Sequence, residues 1–578
     1  MSFRIFFLLS CFVSALHAAE QPAVIDWQPW SDSIFEKAKR EHRFVMLDLG
    51  AVWCHWCHVM DELTYQDPKV IALLKSRYIA VRVDQDSRPD LANRYEDYGW
   101  PATIFFNEDG GEIVKRRGYI PPEPMASLLQ AIIDDPTPGP SVEPEAVVVP
   151  AKEGALTAEQ RSGMRDLFLK AYDDVNGGWG DVHKYLNWDA LEYCLTEGIN
   201  GDAAMEKRAR QTLTAGLKLL DPVWGGVYQY STDGDWDHPH FEKIMPFQTE
   251  NMRVFALAAS LWNEPRWSDS AQKIRGYLKT FLTSKEGAFY TSQDADVIQG
   301  EHSAEYFALN DAARRARGIP RIDTHIYSRE NGLAITGLAA LYATTGDESC
   351  LAEAKRAAQW IQANRKLKGG GYRHGETEGL FMADTLAMGR ACLALYTVTA
   401  ERAWLANAIE AAAFIDVKFK SPAGFASSIS TSSITPAKPQ VDENIALVRF
   451  SNMLANHTGD KRWRSMAEHA MRYLASPVVV DAQGYGVSGI LLADRELRIE
   501  PAHITIVGAK DDPAARALFE AALKMPGNYK RLEWWDSKEG PMPNPDVQYP
   551  ELARAAAFVC KDGACSAPIF LPGKLLKE

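Results

Sequence analysis

Short apolar runs and amphipathic stretches alternate between Ser31 and Ile133. Phe44-Val45-Met46-Leu47-Asp48-Leu49 is almost continuously apolar, as a strand covered on both faces requires, and Tyr78 to Val83 repeats the pattern. Helical spacing marks Ser31 to His42, expected to be a capped amphipathic helix. It recurs through Cys57 to Met60, Pro68 to Arg77, the shorter Pro89 to Tyr98, and Glu123 to Ile133. Ala102 to Phe106 and Glu112 to Arg117 flank the turn Asn107-Glu108-Asp109-Gly110-Gly111 and predict a hairpin. The order strand, helix, strand, hairpin, helix predicts a mixed sheet with helices on both faces.

The pattern changes after this unit. Residues 136–155 are rich in proline, lack helical period, and predict a semi-stiff linker. From 156 to 497, pairs of helical segments alternate with a glycine–aromatic turn. The turns are Gly178-Trp179-Gly180, Gly226-Val227-Tyr228, Gly287-Ala288-Phe289-Tyr290, Gly371-Tyr372, Gly424-Phe425 and Gly484-Tyr485. Phe247 to Trp262 with Ser268 to Leu282, and Met382 to Thr399 with Ala403 to Val417, are examples of the pairs. Six helical hairpins predict a closed (α/α)6 toroid, the alternative being an irregular bundle with ordinary glycine turns. Residues 498–578 predict a small α/β appendage or a late hairpin. Ile504 to Gly508 and Ala555 to Val559 are its strands, and Pro513 to Leu523 its helix. The fold class is therefore multidomain: α/β sheet unit (20–135), linker, all-α toroid, α/β appendage.

Composition narrows the function classes. With 578 residues, 46% of them hydrophobic, and a formal net charge of −13 without a long basic run, a nucleic-acid partner is not expected. Residues 1–19 have Arg4, an apolar run from Ile5 to Leu16, and the small pair Ala18-Ala19, which predicts a secretory signal peptide. Leu8-Leu9-Ser10-Cys11 also fits a lipidation site, the one route by which a membrane would be involved. The mature protein is expected in a periplasmic or extracellular compartment, where disulfides persist. Of eight cysteines, Cys194, Cys350 and Cys392 sit in helical patterns and are expected to be inert core thiols. Two spaced pairs remain, Cys54/Cys57 and Cys560/Cys565.

Trp53-Cys54-His55-Trp56-Cys57 falls at the end of the first buried strand, where a helix begins. Cysteines three apart at a helix start are within bonding distance, and free N–H groups there favour a Cys54 thiolate. Cys54 would attack a partner disulfide and Cys57 resolve the intermediate. His55, when charged, would stabilise the thiolate further, and buried Asp48 near Cys57 would relay a proton. Trp100-Pro101 fits a cis-proline loop against the dithiol. Covalent haem on Cys54-x-x-Cys57-His58, zinc, and a purely structural disulfide are the competing uses. Zinc is no better favoured than haem, because one helical turn cannot wrap a tetrahedron with Cys54, His55, Cys57 and His58, and His58 is expected on the solvent face. No cofactor or metal is expected.

These residues resemble the thioredoxin superfamily: a strand bearing Asp48, the Trp-Cys-x-x-Cys turn, Gly99-Trp100-Pro101, then Ile104-Phe105-Phe106. The toroid adds His238-Pro239-His240-Phe241-Glu242-Lys243, Gln293-Asp294-Ala295-Asp296, Glu250, Asn251, Asp384 and Asp442-Glu443-Asn444, placed in loops or at helix starts around a funnel. Paired carboxylates across a funnel suit glycosidic-bond chemistry, and Trp179, Trp236 and Tyr290 suit sugar faces. Acids at helix starts also serve simply as caps.

Taken together, the chain resembles the thioredoxin-domain proteins similar to spermatogenesis-associated protein 20, which have a six-hairpin-glycosidase-like C-terminal region. The motifs are Trp53 to Met60, Val83 to Asp90, Gly99-Trp100-Pro101, Pro239 to Lys243, Gln293 to Asp296, Asn331-Gly332-Leu333 and Val559 to Cys565. Two departures are the short segment Pro89 to Gly99 and Ile244-Met245-Pro246-Phe247-Gln248, where the family tends to an aromatic and an Asp. The resulting expectation is an exported thiol–disulfide oxidoreductase with Cys54, Cys57, His55, Asp48 and Pro101 as its working residues. Trp53, Trp56, Trp100, His240, Glu242, Asp294 and Asp296 would bind substrate, and Cys560 and Cys565 would form a structural bridge. The partner would be a protein thiol or disulfide client, with carbohydrate at the toroid. The alternative is a carbohydrate-active enzyme, a hydrolase or epimerase, whose thioredoxin-like domain is regulatory or structural.

Overall fold

A computed structural model describes residues 24–144, 146–376, 379–561 and 564–577. The expected leader at 1–19, Cys11 included, lies outside the described residues. Among the described residues no helix is long and apolar enough to cross a membrane.

The N-terminal unit runs α1 (Ser33–Glu41), β1 (Phe44–Gly50), α2 (His55–Val59), a π-helical turn (Met60–Thr64), α3 (Pro68–Arg77) and β2 (Tyr78–Asp84). It continues through α4 (Pro89–Arg94), β3 (Ala102–Phe106), β4 (Glu112–Arg117) and α5 (Pro122–Asp134). The sheet order is β2-β1-β3-β4, with β1 parallel to β2 and antiparallel to β3. Alternate residues of β1 enter separate cores, because successive side chains leave a strand on opposite faces. Met46 joins Ile71, Leu74, Phe105 and Leu129. Val45, Leu47 and Leu49 join Ile34, Phe35, Leu91 and Ile104. The sheet is thus covered on both sides, as predicted. The expected cap of α1 is absent: Asp32 occupies the cap position, but its carboxylate accepts from the Ser432 hydroxyl at 2.9 Å rather than from a helix N–H.

The helical region comprises α6 (Ala158–Lys170), α7 (Trp188–Ile199), α8 (Ala203–Gly216), α9 (Met245–Trp262), α10 (Pro265–Phe281), α11 (Ala304–Phe307) and α12 (Asp311–Arg317). After these come α13 (Ser328–Thr345), α14 (Glu348–Asn364), α15 (Met382–Thr399), α16 (Arg402–Lys418), α17 (Val441–Thr458), α18 (Lys461–Leu474), α19 (Pro477–Ala482) and α20 (Ser488–Arg498). Five two-residue strands lie in the loops: β5 (Tyr230–Ser231), β6 (Pro239–His240), β7 (Lys243–Ile244), β8 (Ser292–Gln293) and β9 (Ile322–Asp323). Helices α7, α9, α13, α15, α17 and α20 each pack on the next, and α20 returns to α7. Outside them α8, α10, α14, α16 and α18 pair with α7, α9, α13, α15 and α17, and α6 covers α20. This closed ring of six hairpins is the (α/α)6 toroid that the repeat predicts.

The repeat has a physical basis in one hydrogen-bonding device. Five glycine–aromatic turns form the same isolated bridge back to the end of the preceding outer helix, for example Leu220 with Val227 and Lys420 with Phe425. In three of them an amide from the next inner helix then closes the turn, while Thr212 and Thr385 hydroxyls accept from the other two. Gln248 receives Val227 N–H at 2.6 Å and donates to its carbonyl at 2.7 Å. Asn331 does the same for Phe289 and Asn444 for Phe425. At Gly226 the turn needs φ +78°, and a Cβ would stand 2.7 Å from the Tyr277 ring. The sixth expected copy differs: Gly484-Tyr485 follows α19 in a helical turn, with Tyr485 exposed.

The C-terminal unit contains β10 (Ala502–Val507), α21 (Pro513–Lys524), β11 (Lys530–Trp535), β12 (Ala556–Lys561), β13 (Ala564–Cys565) and α22 (Pro572–Leu575). Its order is β11-β10-β12-β13, β10 parallel to β11 and antiparallel to β12. That connectivity and strand order repeat those of β1 to β4. Strand β11 escapes sequence patterning because Arg531 and Glu533 are buried as an ion pair at 2.9 Å and break the apolar run. Cys560 and Cys565 face each other across β12 and β13 and are disulfide-bonded. The proline-rich segment is strapped down rather than free: Gly139 N–H bonds Ile113 and Ala151 N–H bonds Arg472.

Candidate functional site

β1 delivers the chain to the turn that opens α2. Cys54 is the N-cap residue, extended at φ −88°, and its Sγ accepts the Cys57 backbone N–H at 3.1 Å. An amide aimed at that sulfur favours a thiolate once the pair is reduced. Cys54 and Cys57 are disulfide-bonded, with Cα atoms 5.3 Å apart. The Trp100-Pro101 peptide, just before β3, is cis. Trp53, Cys54, Cys57 and Trp100 pack in one cluster with Ile244 and Phe247 of the toroid, which leaves Cys54 only 4% exposed.

The toroid therefore sits on the dithiol, and two histidines of α2 fasten it there. His55 Nδ1 lies 2.8 Å from Asp296 Oδ1, and His58 Nε2 lies 3.0 Å from Asp294 Oδ2. All four side chains are buried. The loop after β8 organises the acids. Asp296 N–H and Gln299 Nε2 each donate to Asp294 at 2.9 Å, and Gly300 N–H donates to Asp296 at 2.9 Å. Ala295 N–H donates to the Trp53 carbonyl at 3.3 Å. Burial disfavours the His58 imidazolium, but the hydrogen bond and charge of Asp294, helped by Asp296 and Asp61, outweigh it and raise its pKa. The solvent-facing position expected for His58 is thus corrected: a second domain covers that face.

Asp48 is buried on β1, but its carboxylate is held by Arg82 Nε at 2.9 Å, and Arg82 also reaches Asp61. Burial pushes the Asp48 carboxyl up, against the pull of Arg82. Gly50 on β1 borders the dithiol, since a Cβ there would stand 3.3 Å from Cys57 Sγ. The Trp53 indole donates to Asp86 Oδ2 at 2.7 Å, so the segment after β2 holds the turn from below. Trp56 points outward, 42% exposed, and stacks on Tyr119.

The toroid motifs divide between two places. His240 stacks on Tyr230 at 4.4 Å, and Glu242 is buried 3.9 Å from His240. His302 stands edge-on to both His55 and Phe241 and links that pair to the seam. Lys243 is structural, bonded to Asp221 at 2.8 Å, with burial drawing its pKa down to about 8. The toroid lumen is a separate cavity of about 470 Å³. Its walls carry Asp189, Glu192, Glu250, Arg253, Arg390, Asp442, Glu443 and Arg449. Glu242, Asp294 and Asp296 are not among its lining residues, which corrects the expectation of one shared funnel. Trp179 and Trp236 are buried core residues rather than sugar-facing platforms. Asn251 and Asn444 bond backbone carbonyls, and Asp384 bonds His374.

The structure gathers Cys54, Cys57, His55, Pro101, Trp53, Trp100, Asp294 and Asp296 at the seam, adds His240 and Glu242 through His302, and leaves Trp56 outside. Sequence reasoning missed His302, which no motif marks, and the pairing of His58. It also missed Asp84, Asp86 and Asp323, whose carboxylates converge. Only the Asp84-Gln85-Asp86 spacing was a visible signal.

Parts of the chain are similar to known proteins. The profile of a family described as "Protein of unknown function, DUF255" (Thioredox_DsbH) matches residues 10–133. Spermatogenesis-associated protein 20 of Mus musculus is 28% identical over 311 residues, 47% of this chain and 39% of its own length. The aligned stretch thus spans well under half of that relative. Thiol:disulfide interchange protein DsbD of Campylobacter jejuni (strain RM1221) is 30% identical over 103 residues, 17% of this chain and 18% of that protein. Among solved structures, a D-mannose isomerase aligns with 59% of this chain and 96% of its own at TM-score 0.45 and 10% identity. The chain thus joins a thioredoxin-like domain, matched by the DUF255 profile, to an (α/α)6 toroid, and over part of its length it is similar to spermatogenesis-associated protein 20.

Proposed function

We propose that the protein is an exported thiol–disulfide oxidoreductase. The observation that carries this is Cys54 at a helix N-cap, its sulfur receiving the Cys57 N–H and bonded to Cys57, with a cis-proline loop alongside. In the reduced protein the Cys54 thiolate attacks a client disulfide and expels one client thiolate. Cys57, deprotonated, then attacks Cys54 Sγ, releases the second client thiolate and leaves the Cys54–Cys57 disulfide. Two electrons pass to the client, and the reverse sequence oxidises a dithiol. Asp296 holds the His55 imidazole beside the turn, and Pro101 shapes the groove. The client is a protein thiol or disulfide, and the burial of Cys54 requires the seam to part before it docks. Export rests on the apolar leader at 1–19 and fits a persistent disulfide.

The test is equilibration of the full-length protein across glutathione and dithiothreitol buffers, read by alkylation mass shift. A reversible two-electron transition between about −270 and −120 mV, lost in Cys54→Ser, is expected. A pair that never cycles in that range removes the oxidoreductase reading.

A second reading has its own observation. The lumen volume falls within the roughly 300–1,000 Å³ of small-ligand sites, and burial raises the Asp189 carboxyl at its wall to about 6. That is the range for a general acid in carbohydrate chemistry. Activity on a sugar that survives Cys54→Ser and is lost in Asp189→Asn would favour it.

A further inference from the structure

Beneath the dithiol turn, three carboxylates converge from both sides of the seam. Asp84 ends β2, Asp86 follows two residues later, and Asp323 belongs to β9 of the toroid. One carboxylate oxygen from each lies within 4.8 Å of the others. The donors reaching the first two are neutral. Asp84 receives the backbone N–H of Val52 at 3.3 Å and of Ser87 at 3.2 Å. Asp86 receives the Trp53 indole at 2.7 Å and the Gln85 amide. His325 bonds Asp323 Oδ1 at 2.5 Å, whereas the buried Asp323 Oδ2 has no hydrogen-bond partner among the described residues. Three like charges this close repel strongly when their donors carry no charge.

A separate observation points into the same place. Among the described residues the hydroxyl of Tyr327 has no hydrogen-bond partner, although the residue is 1% exposed. Its ring stacks on His325, which bonds Asp323, and on His374, whose Nε2 bonds the Asp86 carbonyl. Glu330 Oε2, also buried, lacks a partner as well. Orphaned oxygens around an acidic triad form the hard-oxygen ligand set that such a cation requires. The neighbouring trio of His58, Asp294 and Asp296 is equally close, but His55, Gln299 and Gly300 supply its donors. It shows no such deficit.

We propose that Asp84, Asp86 and Asp323 bind a hard divalent cation of the Ca²⁺, Mg²⁺ and Mn²⁺ class, which clamps the thioredoxin-like unit to the toroid beneath Trp53. Carboxylate and phenol oxygens without sulfur or direct imidazole ligation select such ions over zinc or copper. Because Asp86 also holds the Trp53 indole, the cation orients the residue that precedes Cys54.

The experiment uses full-length protein stripped with EDTA and dialysed free of it. Mn²⁺ is titrated by electron paramagnetic resonance, and thermal unfolding is followed with added CaCl₂, MgCl₂ or MnCl₂. One Mn²⁺ per chain is expected, displaced by Ca²⁺ or Mg²⁺, with a saturable rise in Tm. Asp323→Asn and Asp84→Asn, each near-isosteric and checked for folding by circular dichroism, should each weaken Mn²⁺ binding at least about tenfold. Exposed Asp109→Asn should leave it unchanged. Negligible binding at millimolar Mn²⁺, or binding indifferent to both triad substitutions, overturns the proposal. So does an Asp323→Asn protein that gains stability while neither protein responds to cations, since protons shared among the acids then account for the cluster.

Discussion

His58 and Asp294 meet at 3.0 Å across 236 residues of chain, so the helix that carries the dithiol is fastened to the toroid one residue beyond Cys57. The pair turns a solvent-exposed face of a thioredoxin-like unit into an interior one.

This pair makes the seam pH-sensitive. The folded-state pKa of His58 is raised above an unfolded value of about 6.5. Its contribution to stability is therefore fully present below about pH 6.5 and is lost as pH rises through the folded-state value. The charges facing it are Asp294, Asp296 and Asp61. In urea titrations Asp294→Asn should destabilise the protein more at about pH 5.5 than at about pH 8.5. An equal loss at both would mean that the imidazole is not charged in the folded protein.

Access to the disulfide should depend on the partner of His55. A charge-assisted hydrogen bond contributes about 1.5–3 kcal/mol, so Asp296→Asn is expected to speed reduction of Cys54–Cys57 by dithiothreitol about 10- to 100-fold where seam opening limits the rate. Stopped-flow alkylation measures this. An unchanged rate would show that reductant reaches Cys54 without opening.

The amides that close the toroid turns should be costly to lose. Asn331→Ala strands the N–H and carbonyl of buried Phe289. Each orphaned group costs about 1–3 kcal/mol, so a fall of about 2–5 kcal/mol in unfolding free energy is expected, with helicity retained by circular dichroism. A change under half a kilocalorie would mean that water replaces the amide.

The C-terminal disulfide is expected to act only on stability. Cys560 and Cys565 close a loop of sequence separation 5, for which chain entropy gives about 2 kcal/mol. Cys560→Ser with Cys565→Ser should lower Tm accordingly and leave the Cys54–Cys57 potential unmoved. A shifted potential would couple the two sites.

Much of the architecture is legible in the chain because it repeats local rules. β1 alternates between two cores and carries no polar residue but Asp48, and α9 and α15 appear within two residues of where apolar spacing predicts them. The dithiol turn and the proline before β3 are visible for the same reason: the spacing that makes their chemistry lies within a few residues. Strand β11 was invisible because its charges are neutralised by each other inside the fold. The sixth glycine–aromatic turn departs from expectation because Gly484-Tyr485 has the composition of the others without a described bridge back to a preceding outer helix.

Periodicity and short spacing along the chain were enough for most of the helices and strands, the ring of hairpins and the redox pair. What the polar motifs do follows from the folded contacts alone. Asp294 and Asp296 point at His58 and His55 rather than into the lumen, Asp48 faces Arg82 rather than standing free, and Asp323 joins Asp84 and Asp86. Each of these relations depends on how a rigid sheet unit docks on the loops of the toroid. Buried charges must find partners at that contact, and their sequence separation carries no information about which partner they find.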